Sequence, residues 1–180
     1  MDPVSPLRSR KLAARFAQHD VDGDGFLQHS DYQTLAATLS DRLAADEATR
    51  AMIVDGFTDQ WQQLCAYAGV DRDGRLSLAQ YTAAMGAGIA GDAVSLDQAV
   101  LRTSRAVLRA ADSDSDGYLD LSEYQRIAQL LGVDGAADSF GLLDTDGDGR
   151  LSNAEIADAI RDFYTSDDLT TPGNILFGRF

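Results

Sequence analysis

Four stretches of this chain repeat one twelve-residue pattern, and that repetition restricts the fold more sharply than any other feature. The fullest copy is Asp112-Ser113-Asp114-Ser115-Asp116-Gly117-Tyr118-Leu119-Asp120-Leu121-Ser122-Glu123. Carboxylates stand at positions 1, 3, 5 and 12, glycine at position 6 and an apolar residue at position 8. The pattern recurs from Asp144 to Glu155 and from Asp20 to Asp31. A fourth copy, Gly69 to Gln80, is worn down. Aspartates at every second position turn their oxygens toward one point. Glycine at position 6 takes a positive φ without a Cβ clash and brings the chain back on itself. Twelve residues folded in this way make a cage of oxygens.

Such a cage suits a hard divalent cation. Ca²⁺ takes about six to eight oxygens at roughly 2.3–2.6 Å, from positions 1, 3, 5, 7 (through its carbonyl), 9 (often through water) and 12. The pattern is that of the EF-hand loop. The predicted ligands are Asp20, Asp22, Asp24, Phe26 and Asp31 in the first loop. In the third they are Asp112, Asp114, Asp116, Tyr118 and Glu123, with Asp120 acting through a water. In the fourth they are Asp144, Asp146, Asp148, Arg150 and Glu155. The second loop has Gly69 at position 1 and Gln80 at position 12, so Asp71 and Asp73 stand alone. Two carboxylates are too few to dehydrate Ca²⁺, and this loop is expected to be silent. Only Glu47, Glu123 and Glu155 are glutamates, and two of the three occupy position 12, where the longer arm is needed. Asp31 is one methylene shorter. The first site is therefore expected to close less fully and to tolerate Mg²⁺, which prefers six-fold geometry.

The formal net charge is −14, and thirteen of the twenty-nine acidic residues lie in the three full loops. Three ions of two charges each would bring the total to −8. Metal-free protein is thus strained by like-charge repulsion, and part of the binding energy is folding energy. This balance argues against nucleic-acid binding, which needs clustered Lys and Arg. With 44% hydrophobic residues the chain is not an acidic disordered tail. Cys65 is the one cysteine, so no internal disulfide forms, and it reads as a small buried hydrophobe. No apolar run resembles a signal peptide or a membrane span, and Asp2 leaves no myristoylation site. A cytoplasmic monomer without a membrane anchor is expected.

Apolar residues at three- and four-residue steps place helices around each loop. Leu7 to His19 enters the first hand, and Tyr32, Leu35, Ala36 and Leu39 line its exit. Asp46 to Ala68 enters the second, with Ile53, Phe57, Trp61, Leu64 and Cys65 on one face. Ser95 to Ala111 enters the third hand; Phe140 and Leu143 enter the fourth, and Ile156, Ile160 and Phe163 leave it. Hands pair through position 8, here Leu27 with Leu76 and Leu119 with Leu151. His19 and His29 read as solvated. Gly86, Gly88 and Gly91 with Ala87 and Ala90 read as a linker. The predicted fold is all-α: four EF-hands in two pairs forming a compact globule, with short β bridges between paired loops. Residues 1–90 form the first pair and 91–163 the second. In the tail, 164–180, a turn at Thr170-Thr171-Pro172-Gly173 precedes Ile175, Leu176 and Phe177 and folds them back onto the globule.

The silent second hand and the tail Asp162-Phe163-Tyr164-Thr165-Ser166-Asp167-Asp168, then Pro172-Gly173-Asn174-Ile175-Leu176-Phe177-Gly178, give a chain that resembles the sarcoplasmic calcium-binding proteins and calerythrin. The resemblance implies Ca²⁺ at sites one, three and four, Mg²⁺ competition at some sites, and a buffering or transport role with little exposed groove. Three function classes follow. A calcium buffer binds tightly and opens little. A calcium sensor exposes a Met-rich groove to a partner helix. Beyond Met1 the chain has only Met52 and Met85, which favours the buffer. An enzyme or photoprotein on the same frame needs His, Trp and Tyr around a ligand, and the chain has two His, both beside the first loop, and one Trp. No catalytic constellation is present in the sequence.

Overall fold

The computed structural model describes residues 4–90 and 95–178. Helix α1 (Pro6–His19) starts where the Ser5 hydroxyl accepts from the backbone N–H of Arg8, with Pro6 at the first helical position, where its missing N–H costs nothing. Strand β1 (Phe26–Leu27) lies inside the first loop and α2 (His29–Arg42) leaves it. Helix α3 (Glu47–Ala68) is capped by the Asp46 carboxylate, which accepts from Thr49 N–H, and ends at Gly69 in the left-handed region (φ 66°). Strand β2 (Leu76–Ser77), α4 (Leu78–Ala90), α5 (Ser95–Ala111), β3 (Tyr118–Leu119) and α6 (Leu121–Leu130) follow. Helix α7 (Ala136–Leu143), β4 (Leu151–Ser152), α8 (Asn153–Thr165) and a 3₁₀ turn (Pro172–Ile175) complete the order. The fold is all-α apart from the two strand pairs.

Each strand pair joins two loops antiparallel. Leu27 faces Leu76, and Leu119 faces Leu151, which is the register the position-8 leucines imply. All four are at most 3% exposed, so each bridge has an apolar underside that fixes it. On its outer side an arginine covers an aromatic ring. Arg75 lies 4.0 Å from the Phe26 ring centroid and Arg150 4.4 Å from that of Tyr118.

The core runs continuously through both hand pairs. Ile53, Phe57, Trp61, Leu64 and Cys65 of α3 are all buried, with α5 packed along the same helix. Burial pushes the Cys65 thiol up to about 11, in keeping with a packing role. Residues Gly86 to Ala90 do not form a linker. They are the last turns of α4, and Gly91 lies outside the described residues. The glycine at 88 serves close packing: a Cβ there would lie 2.7 Å from a methyl of Leu96 and 3.0 Å from the Tyr67 ring.

The tail folds back onto α8. Phe177 stands edge-on to Phe163 at 4.9 Å between centroids, and Leu176 and Asn174 are buried. Helix α1 braces the end of α8 and the tail that follows it with three donors. Arg8 Nε donates to the Tyr164 carbonyl (3.1 Å), Lys11 Nζ to that of Ser166 (2.8 Å), and Gln18 Nε2 to that of Phe177 (2.7 Å). Gly173 sits so close to α8 that a Cβ would lie 2.2 Å from the Ala159 carbonyl oxygen and 2.8 Å from Phe163 N. Gly173→Ala is therefore expected to destabilise the protein by about 1–3 kcal/mol through overpacking. Gly141→Ala, in α7 with open space around it, is expected to stabilise by about 0.5–1 kcal/mol. Urea denaturation of both variants checks the pair; equal effects would remove the close-packing role of Gly173.

Candidate metal centres

Loops one, three and four share one hydrogen-bond scheme. The position-1 aspartate accepts from the position-6 glycine N–H: Asp20 from Gly25 at 2.9 Å, Asp112 from Gly117 at 3.0 Å, Asp144 from Gly149 at 2.9 Å. The position-5 N–H is shared between the carboxylates of positions 1 and 3, at 3.1–3.2 Å in every loop. The position-5 carboxylate accepts from the position-7 N–H at 2.8 Å in all three. Backbone donors thus hold each acid in place. Oxygens with a single donor, such as Asp20 Oδ2 and Asp144 Oδ2, keep a second lone pair for another partner, whereas Asp144 Oδ1 accepts from both Gly147 N–H and Asp148 N–H.

The closing acid ties both ends of the loop together. Glu123 accepts from Ser113 N–H (2.6 Å) with one oxygen and from Asp120 N–H (3.1 Å) with the other. Glu155 does the same with Thr145 (2.9 Å) and Ser152 (2.8 Å). Asp31 makes the equivalent bonds with Val21 (3.2 Å) and Gln28 (2.7 Å). One difference separates the loops. Carboxylate oxygens of Asp112, Asp114 and Glu123 converge within 4.8 Å, as do those of Asp144, Asp146 and Glu155. In the first loop the group that converges is Asp20, Asp22 and Asp24, without Asp31. The shorter arm keeps its two hydrogen bonds at the loop ends and stays out of the cluster.

Crowding and donors pull the acids in opposite directions. Asp114 is drawn down by the N–H of Asp116, yet desolvation and the charges of Asp116 and Glu123 leave it above the usual carboxylate range. Glu155 is raised by desolvation but brought below that range by the donors of Ser152 and Thr145. Asp120 is held low because it caps α6, accepting from Glu123 N–H at 2.9 Å and from the Ser122 hydroxyl at 2.8 Å. Phe26 and Tyr118 sit in the strands, and Arg150 immediately before one. Such clusters fit a hard, oxygen-seeking cation and offer no soft donor for a thiophilic metal.

The second loop is held by the protein itself. The Trp61 indole N–H donates to the Arg72 carbonyl at 2.7 Å, and Gly74 N–H donates to that of Asp71 at 2.9 Å. Gln80 accepts from Ser77 N–H (3.0 Å), preserving one of the two bonds of the closing acid. Among the described residues no acidic cluster forms there.

Three features escape the motif. Gln28, at position 9, donates from its amide to Asp24 at 3.2 Å and so braces the first loop. Ser115 takes a positive φ (60°) at position 4, where the other full loops have Gly23 and Gly147. His19 is buried, not solvated. Arg15 Nη2 lies 2.8 Å from His19 Nε2, and Tyr32 Oη 3.4 Å from its Nδ1. A guanidinium only donates, so Nε2 accepts and Nδ1 carries the proton. Burial, and then the Arg15 charge, hold His19 well below its usual value, so the ring is neutral. His29 is half-buried and stacks parallel to Trp61. Neither position reads as buried in sequence, because both flank an exposed loop.

Two paired helix–loop–helix units with acid clusters in their loops define an EF-hand protein. A family model for the EF hand matches residues 12–36, 105–128 and 136–158, the three hands with full loops. Calerythrin of Saccharopolyspora erythraea is 27% identical over 167 residues, covering 89% of this chain and 94% of its own. The luciferin-binding protein of Renilla reniformis is 27% identical, covering 94% and 92%. Sarcoplasmic calcium-binding protein 1 of Astacus leptodactylus is 24% identical, covering 93% of each. A solved calcium-binding protein of Streptomyces coelicolor superposes with a TM-score of 0.73 at 27% identity, over 89% of this chain and 99% of that one. Three hands of the chain thus match the EF-hand model, and nearly its whole length is similar to four-EF-hand calcium-binding proteins. Among the described residues no helix is long and apolar enough to cross a membrane.

Proposed function

We propose that this protein is an intracellular calcium buffer that takes up three Ca²⁺ without opening a partner groove. The observation that carries this reading is the tail. Leu176 and Phe177 lie against the apolar interior that a sensor would present, and Gln18 of α1 holds the Phe177 carbonyl there. Methionine supports it as well: Met85 is buried, and Met52 is the one exposed methionine among the described residues. In this reading the ligands are Asp20, Asp22, Asp24, Phe26 and Asp31 at the first site. Asp112, Asp114, Asp116, Tyr118 and Glu123 serve the third, and Asp144, Asp146, Asp148, Arg150 and Glu155 the fourth. The second hand acts as a structural partner to the first. Residues 1–90 and 91–163 act as two hand pairs closed by the tail. The protein works as a cytoplasmic monomer without catalysis, at affinities of about 10⁻⁹–10⁻⁷ M.

The rival reading is a sensor whose tail yields to a partner helix. It draws on the Streptomyces coelicolor relative, solved as a basis of prokaryotic calcium-mediated regulation. A hydrophobic-surface dye separates the two. Mg²⁺-loaded and Ca²⁺-loaded protein carry the same ionic charge, so a difference in dye fluorescence reports shape. The buffer gives equally weak fluorescence in both forms; a clear rise with Ca²⁺ makes the sensor the better reading.

The first site is proposed as the Mg²⁺-tolerant one, since Asp31 stays out of its cluster. Asp31→Glu is expected to raise the Ca²⁺/Mg²⁺ affinity ratio of that site by roughly tenfold, read by calorimetric titration with each ion; an unchanged ratio removes the arm-length argument.

A further inference from the structure

The outer side of the second bridge places one cation between two candidate ion sites. Tyr118 opens β3 and Arg150 directly precedes β4; each holds position 7 of its loop. The Arg150 guanidinium lies over the Tyr118 ring, and its terminal nitrogens address different loops. Nη1 lies 3.6 Å from Asp116 Oδ2 in the third loop, and Nη2 lies 3.6 Å from Asp148 Oδ2 in the fourth. Both aspartates stand at position 5, where each serves the ion of its own loop. Their other oxygens are held by the backbone: Asp116 Oδ1 accepts from Tyr118 N–H and Asp148 Oδ1 from Arg150 N–H, each at 2.8 Å. One side chain is thus shared by a ligand of each site.

The first pair of hands lacks this link. Arg75 holds position 7 of the second loop and covers Phe26 as Arg150 covers Tyr118. Among the described residues, however, no carboxylate lies within 4.0 Å of the Arg75 guanidinium. Stacking on the bridge does not by itself bring an arginine to the position-5 acids. The planar fork of a guanidinium presents several donors at once, which lets one group serve two carboxylates. The Arg150 side chain is 46% exposed, so it has water to move into, and each of its ion pairs is weak.

We propose that the Arg150 side chain couples sites three and four, as a tethered cation that competes with Ca²⁺ for Asp116 and Asp148 together. This role rests on the reading of loops three and four as ion sites, and holds for a buffer and a sensor alike. With both sites free, the guanidinium offsets part of the charge of each aspartate. Uptake of Ca²⁺ in one loop engages the same carboxylate and brings a double positive charge beside the guanidinium, which repels it. With one of its two pairs lost, Arg150 moves off the bridge into water. The cost of displacing it therefore falls on the first ion of the pair and not on the second. The outcome is positive coupling, added to whatever the backbone of the bridge carries.

The test is a titration of the full chain in chelator-buffered Ca²⁺, with the Gly117 and Gly149 amides reporting sites three and four separately by NMR. Fitted together, the two curves give binding constants for the first and the second ion of the pair. Arg150→Gln removes the charge and keeps the position-7 carbonyl. It is expected to raise the first constant by about three- to fivefold, the scale of an exposed ion pair, and to leave the second within about 1.5-fold, so that the coupling falls by the same factor. Arg75→Gln removes one charge from the other bridge and is expected to leave both constants and their ratio unchanged. An equal rise of both constants in Arg150→Gln would mean a screening charge without coupling, and no rise would mean that Arg150 does not compete; either overturns the proposal. So does the same change of ratio in Arg75→Gln, which would trace the effect to net charge alone. If neither amide moves in the unaltered chain, the reading of these loops as ion sites fails, and the coupling fails with it.

Discussion

The bond pair made by each closing acid is the constraint on which the rest depends. One oxygen holds the second residue of the loop and the other holds the first turn of the exiting helix. A single side chain therefore sets the distance between the entering helix and the exiting one. The strand bridges then couple each loop to its neighbour, so the geometry of one hand is passed to the next. The second hand illustrates the economy of this arrangement. It keeps the bridge, the cap made by Gln80 and a brace from Trp61, and dispenses with the carboxylate cluster.

The electrostatics follow from the same geometry. Acids packed within 4.8 Å of one another repel, and backbone donors offset only part of that repulsion. The remainder is available to a divalent cation. Binding is thus coupled to the order of the loops, and through the bridges to the packing of the helices. The tail completes the account. It covers part of the apolar interior with Leu176 and Phe177.

The loops, their bridges and the folded-back tail were legible in sequence because each rests on local spacing or on a run of apolar residues. Position 8 announced the Leu27–Leu76 and Leu119–Leu151 pairs, and position 12 announced the shorter reach of Asp31. What lay beyond reach depends on partners distant in the chain. Gly88 looks like a flexible joint until Leu96 and Tyr67 are seen against it. His19 looks exposed until Arg15 and Tyr32 close around it. Arg15 itself looks like one more surface charge on an amphipathic helix, and only the fold reveals that it faces the interior beneath Phe177.

The central claim is that loops one, three and four hold ions and loop two does not. The position-6 glycine amides report on each loop separately, because in the three full loops they donate to the position-1 carboxylate, whereas Gly74 donates to a backbone carbonyl. A Ca²⁺ titration followed through these four amide resonances by NMR is the most direct measurement. Gly25, Gly117 and Gly149 are expected to move strongly downfield as the ion polarises their acceptor, and Gly74 to stay near its starting position. A large saturable shift at Gly74, or none at one of the other three, would contradict the account.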